Sequence, residues 1–214
     1  MRQYFLKPQS LKPLIQVRRE VTTPIDMTED ERSRPNILIT GTPGVGKTAT
    51  ATLVAETLSL THFNIGEIIK EKKFTREYDE QLQTHILDED ALLDHLEILF
   101  ENERSRQEDD EELRGVVADY HSCEMFPERW FDLVLVLRTD THILYDRLIQ
   151  RRYDEQKRDQ NMECEIMQVL LEEARESYAP EIVVELKNNT LEDIEGNVQR
   201  VKQWYDQWIE DHTQ

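Results

Sequence analysis

The stretch Gly41-Thr-Pro-Gly-Val-Gly-Lys47-Thr48 follows a short apolar run, Ile37-Leu-Ile39, and precedes a helix-like run from position 49 to 60. A G-x-x-x-x-G-K-T between strand and helix is the P-loop signature. Its spacing has a chemical reason. Successive backbone N–H groups must turn inward to cradle phosphate oxygens. Glycines at 41, 44 and 46 permit the dihedrals this requires and keep side chains out of the way. Lys47 is placed to reach the β- and γ-phosphates of a nucleotide, and Thr48 offers its hydroxyl to Mg2+. The following helix points its positive end at the anion. The competing reading is a plain glycine turn, and the strand–loop–helix context argues against it. Gly44, Val45, Gly46, Lys47, Thr48 and Ala49 are therefore the expected nucleotide-phosphate cradle.

The rest of the chain has to supply a fold around that loop. Apolar, strand-like runs lie at 36–40, 61–65, 115–119, 132–137 and 182–186. Helical patterns lie between and after them, at 47–60, 67–73, 88–100, 140–150, 162–177 and 191–212. Strands alternating with helices predict an α/β fold, with a parallel five-stranded sheet and helices on both faces. The expected inward residues are Leu53, Val54, Thr57 and Leu58 in the first helix and Ile166, Val169, Leu170 and Ala174 in the 162–177 helix. In the last helix Trp204, Tyr205 and Trp208 recur at core spacing. Residues 74–87 read as polar and irregular, and 151–161 as a short, charged, mobile loop. Residues 101–114, with seven acidic and three basic side chains, read as an exposed loop or helix extension.

Residues 1–34 read as a disordered extension preceding a kinase-like domain at 35–214. The segment to Arg19 holds five basic residues and no acidic one, which also describes a transit peptide. Serine is scarce there, however, and Pro8 and Pro13 interrupt any amphipathic helix. Met27 is a second candidate start.

Charge narrows the partners. Lys and Arg number 26 against 45 Asp and Glu, a net charge of −19. Extended nucleic-acid binding is disfavoured, since it depends on cations neutralising phosphates. A basic protein partner is favoured by the same argument, although a solvated acidic surface is the commoner meaning. The two cysteines, Cys123 and Cys164, have no metal-ligand spacing, and a reducing compartment is expected. No stretch approaches the length of an apolar membrane span.

Beyond the glycine loop, Asp119 ends an apolar run, the place of a carboxylate that holds Mg2+ together with Thr48. His121 follows two residues later and can orient a water or phosphate oxygen, or be a structural histidine. Arg147 and Arg151 stand four apart at the end of one helix. Phosphoryl transfer needs cations over the transferred group, and these arginines are candidates; a solvated helix end is the alternative. Arg138 also lies at a strand end. A nucleoside monophosphate is mostly a dianion at neutral pH, so as acceptor it needs no general base.

Six segments together resemble the adenylate kinase isoenzyme 6 family. They are the glycine loop, Ile86-Leu-Asp-Glu-Asp90, Asp119-Tyr-His-Ser-Cys123, Phe126-Pro-Glu-Arg-Trp-Phe131, Val136-Leu-Arg-Thr-Asp-Thr141 and Cys164-Glu-Ile166. The resemblance covers about 36–212. It implies an adenylate-kinase-like fold with an NMP-binding segment at about 64–87 and a small lid at about 151–161. It implies phosphoryl transfer from Mg-ATP to AMP or a similar nucleoside monophosphate, with ATPase activity. It implies a nuclear and cytoplasmic protein acting in small-subunit ribosome biogenesis and 18S rRNA maturation. There it would work on the pre-ribosomal particle, as a monomer, through a basic small-subunit ribosomal protein. By the same resemblance Arg151 joins the ATP site and Lys70 the NMP site.

The chain departs from the family pattern at three places. Ala49 follows Thr48 where a second threonine is usual, removing a hydroxyl near the α-phosphate. Lys70 stands where arginine is usual; it keeps the charge and loses the bidentate fork. Arg152 replaces a glycine after Arg151. An ATPase assembly factor with little kinase activity is the alternative expectation, and a small-metabolite kinase the reading outside the family.

Overall fold

The computed structural model describes residues 33–79, 84–105 and 115–212. In chain order they form β1 (Ile37–Thr40), α1 (Lys47–Leu58), β2 (Thr61–Asn64), α2 (Ile65–Lys72), β3 (Thr75–Asp79), β4 (Thr84–Leu87) and α3 (Glu89–Ser105). These are followed by β5 (Val116–Asp119), β6 (Leu133–Arg138), α4 (Thr141–Gln150), α5 (Glu155–Ile166), α6 (Val169–Ser177), β7 (Val183–Lys187) and α7 (Leu191–His212).

Five strands make one sheet in the order β2-β5-β1-β6-β7, and every pairing is parallel. The expected α/β architecture is therefore the observed one. Alternation along β1 shows how the layers divide. Ile37 and Ile39 face a core formed with α1, α4 and α7, including Val54, Leu144, Leu148, Val198 and Val201. Leu38 faces the opposite core, formed with α2, α3 and α6 and an aromatic cluster of Phe126, Trp130 and Phe131. Both faces are covered, which is why the strands read as continuous apolar runs. Parallel pairing also brings Thr40, Asn64, Asp119 and Arg138 to one end of the sheet. Loops at that end can face one ligand.

Several expectations need correcting. Within 74–87, β3 and β4 form an antiparallel pair, with Tyr78 opposite His85; positions 80–83 lie outside the described residues. In the 101–114 stretch the helix-extension alternative is the observed one as far as Ser105, and the remainder lies outside the described residues. Within α3, Glu103 is buried and accepts a hydrogen bond from Thr61 Oγ1 at 2.5 Å. The loop expected at 151–161 is mostly helix, because α5 begins at Glu155. The single helix expected at 162–177 is two, broken where Gln168 adopts a left-handed φ of 57°. The break turns Ile166 outward, 59% exposed, while Leu170, Leu171 and Ala174 pack inward. In α1, Thr57 is exposed and Ala51 and Ala55 take the inward places. The 1–34 extension lies outside the described residues except at its end, where Arg34 Nη1 donates to Tyr205 of α7 at 2.7 Å.

Candidate active site

The glycine loop joins β1 to α1 and is built from left-handed backbone. Gly44 and Gly46 have φ of 105° and 103°, where an L side chain is strained. Close packing enforces the same choice. A Cβ on Gly44 would lie 2.8 Å from Leu144, and one on Gly46 would lie 2.5 Å from the amide nitrogen of Asn188. Asn188 is fully buried and donates to Val45 O at 2.7 Å, so it holds the loop from beneath.

Lys47 folds back over the loop. Its Nζ donates to Gly41 O at 2.7 Å and to Thr42 O at 3.1 Å. Burial pushes its pKa from 10.5 down to about 8; the nearby Asp119 raises it and the nearby Arg151 lowers it further. An ammonium so desolvated and met mainly by carbonyl dipoles lacks a full counter-anion, which a phosphate chain supplies.

Thr48 is exposed in the first turn of α1, and its hydroxyl accepts from Asn64 Nδ2 at 3.3 Å. Asn64 also caps α2 by accepting from Glu67 N at 3.0 Å. Asp119 is buried at the end of β5, and its Oδ2 lies 3.1 Å from His62 Nε2. Beside them opens a cleft of about 390 Å³ lined by Thr48, Thr52, His62, Asn64, Glu67 and Glu71 among others. Thr48 and Asp119 suit Mg2+, an ion usually held by one or two protein oxygens, waters and substrate phosphates. Among the described residues no group of three or more His, Cys, Asp or Glu forms a protein cage for a metal.

The other expected residues fall as follows. His121 is half-buried against Tyr120, with ring centroids 4.3 Å apart, and its carbonyl accepts from Thr40 Oγ1 at 3.0 Å. Arg147 is turned to backbone. Its Nη1 donates to Gly44 O at 3.3 Å and Asn188 O at 3.2 Å, and its Nη2 to Asn189 O at 2.6 Å. It thus clamps the glycine loop to the β7–α7 loop. Arg151 is exposed at the C-cap of α4, close enough that its charge lowers the pKa of both Lys47 and Arg147. Ala49 is exposed beside Thr48, and Lys70 is exposed in the last turn of α2.

Three further candidates were not singled out in the sequence. His62 and Asn64 sit in a candidate strand, and Glu165 in the Cys164-Glu-Ile166 segment, which carries the family resemblance but no stated role. Glu165 is 2% exposed and receives Thr42 Oγ1, Arg138 Nε and Thr139 N. Cys164 lies beside it, and burial pushes its thiol up to about 11, so it stays protonated near neutral pH.

Comparison with known proteins bears on the family and the fold. A family model described as "AAA domain" matches residues 37–168. The adenylate kinase isoenzyme 6 homolog of Dictyostelium discoideum is 49% identical over 180 residues, which is 84% of this chain and 97% of that protein. The homolog of Caenorhabditis elegans is 46% identical, over 87% of this chain and 97% of that protein. Among solved structures, shikimate kinase from Bacteroides thetaiotaomicron superposes with a TM-score of 0.52 at 17% identity, covering 80% of this chain and 98% of that one. At that identity the likeness speaks to fold alone.

Proposed function

Since the chain belongs to the adenylate kinase isoenzyme 6 family, we propose that it transfers the γ-phosphoryl group of Mg-ATP to AMP or a similar nucleoside monophosphate. The observation that carries the reading is Lys47, a desolvated cation held over a left-handed glycine loop at the carboxyl end of a parallel sheet. Loop N–H groups and Lys47 bind the phosphate chain, leaving the carbonyls of Gly41 and Thr42. Thr48 and Asp119 would hold Mg2+, which when bound would neutralise charge on the phosphate oxygens. His62 keeps the Asp119 carboxylate in place. Arg151 adds positive charge beside Lys47 as the transferred group becomes more dissociated. Lys70 draws the acceptor phosphate. That phosphate is already a dianion, so no side chain need remove a proton from it. His121, two residues beyond Asp119, orients a water or a phosphate oxygen.

In the cell, the same enzyme acts in small-subunit ribosome biogenesis and 18S rRNA maturation, in nucleus and cytoplasm. There it engages a basic small-subunit ribosomal protein on the pre-ribosomal particle. Its charge of −19 supports a basic partner. A second reading, ATP hydrolysis with little kinase activity, is favoured by Lys70, whose point charge replaces a bidentate fork.

ADP formation from Mg-ATP, measured with and without AMP, separates the two. The kinase predicts strong AMP dependence, and Lys47→Ala lowers the rate at least about 100-fold. Slow turnover indifferent to AMP would reject the kinase in favour of the ATPase.

A further inference from the structure

The carboxylate of Glu165 is the meeting point of three elements that hydropathy does not connect. It lies in the last turn of α5 and is 2% exposed. Thr42 Oγ1 donates to it at 2.5 Å, Arg138 Nε at 2.7 Å and Thr139 N at 3.1 Å. Arg138 Nη2 also donates to the Glu165 carbonyl at 2.8 Å. A carboxylate this buried is tolerated only where such partners compensate its desolvation. Here they come from the glycine loop and the end of β6.

Thr42 makes the arrangement more than a brace. Its side chain holds Glu165, while its backbone carbonyl holds Lys47 Nζ at 3.1 Å. One residue therefore joins the phosphate-binding lysine to α5. α5 is itself set off by left-handed residues on either side, Arg152 at φ 55° and Gln168 at φ 57°. The backbone turns at single residues there, and α5 lies between them.

We propose that Glu165 is a positioning residue that couples the phosphate loop to α5, so that nucleotide binding at Lys47 sets the placement of α5. When phosphates draw Lys47 away from the Thr42 carbonyl, the Thr42 peptide is released on one side only. Its hydroxyl carries the change to Glu165 and thence to α5. This rests on the nucleotide reading of the loop but not on AMP being the acceptor.

The test compares Thr42→Val, which removes only the hydroxyl, with Thr42→Ser, which keeps it, and with Glu165→Gln. Hydrogen exchange of the α5 amides is followed with and without Mg-ADP, alongside the thermal midpoint and the KM for ATP and for AMP. In the wild type Mg-ADP slows α5 exchange. Thr42→Val loses that protection and raises the KM for ATP about tenfold with the KM for AMP unchanged, and Thr42→Ser restores both. Glu165→Gln falls between; should it not fold, the Thr42 pair decides. Nucleotide-linked α5 protection that survives in a folded Thr42→Val overturns the coupling, whatever the variant does to the thermal midpoint. A wild type that binds no Mg-ADP overturns both readings, whereas binding without AMP phosphorylation overturns only the kinase.

Discussion

Lys47 shows how a residue's surroundings set a pH window. Burial lowers its pKa from 10.5 to about 8 in the free protein. The neutral form is favoured on folding, so the unfolded chain binds more protons between those values. Stability therefore rises with pH across that window, as far as this group is concerned. Nucleotide binding works the other way. Phosphates favour the charged lysine, so above about pH 8 binding takes up a proton and its Kd weakens, by up to about tenfold per pH unit. Calorimetry in buffers of different ionisation enthalpy checks this. Uptake near one proton at pH 9 is expected, and its absence would show that Lys47 is already charged in the free protein. At this scale Gly44, Gly46, Lys47, Thr48 and Asp119 were legible, since each is demanded by local chemistry. His62 was not, because nothing local says that β2 and β5 lie side by side.

At the scale of elements, α5 is where hydropathy and structure part. As far as Asn161 its sequence, rich in charge and poor in apolar residues, predicts a loop. The helix forms because Asp154 caps it, accepting from Lys157 N at 2.8 Å. Its cations then lie on aromatic rings, Lys157 4.0 Å from the centre of Tyr153 and Arg158 5.1 Å from that of Tyr145. Neither effect leaves an apolar stripe. The turn before it carries strain, because Arg152 occupies a left-handed conformation with φ 55°. Left-handed backbone costs a side-chain-bearing residue about 1–2 kcal/mol, and glycine's extra unfolded-state entropy offsets about 0.5–1 kcal/mol of the relief. Arg152→Gly should stabilise the fold by about 0.5–1 kcal/mol, read as a higher urea midpoint at unchanged slope. A lower midpoint would mean that the Arg152 side chain contributes more than its backbone strain removes.

For the molecule as a whole, 45 acidic against 26 basic residues leave the folded protein repelling itself. Salt screens that repulsion, with a Debye length falling from about 30 Å at 0.01 M to about 10 Å at 0.1 M. The thermal midpoint should rise by about 2–4 °C for each kcal/mol so relieved as NaCl increases over that range. A midpoint that falls would mean that attractive pairs such as Arg76 with Asp88 and Asp90 outweigh the net charge.

The parallel sheet and its glycine loop were written locally: buried strands need unbroken apolar runs, and a phosphate cradle needs glycines at set intervals. The two longest helices, α3 and α7, announced themselves by periodicity for the same reason, α3 as far as position 100. The partnerships that complete the site could not be read that way. Asp119 with His62, Thr42 with Glu165, and Arg147 with the loops around it join residues 57, 123 and, for Gly44, 103 positions apart. Each is a polar group made affordable inside the protein only by a partner that folding delivers, and no local pattern records which partner that is.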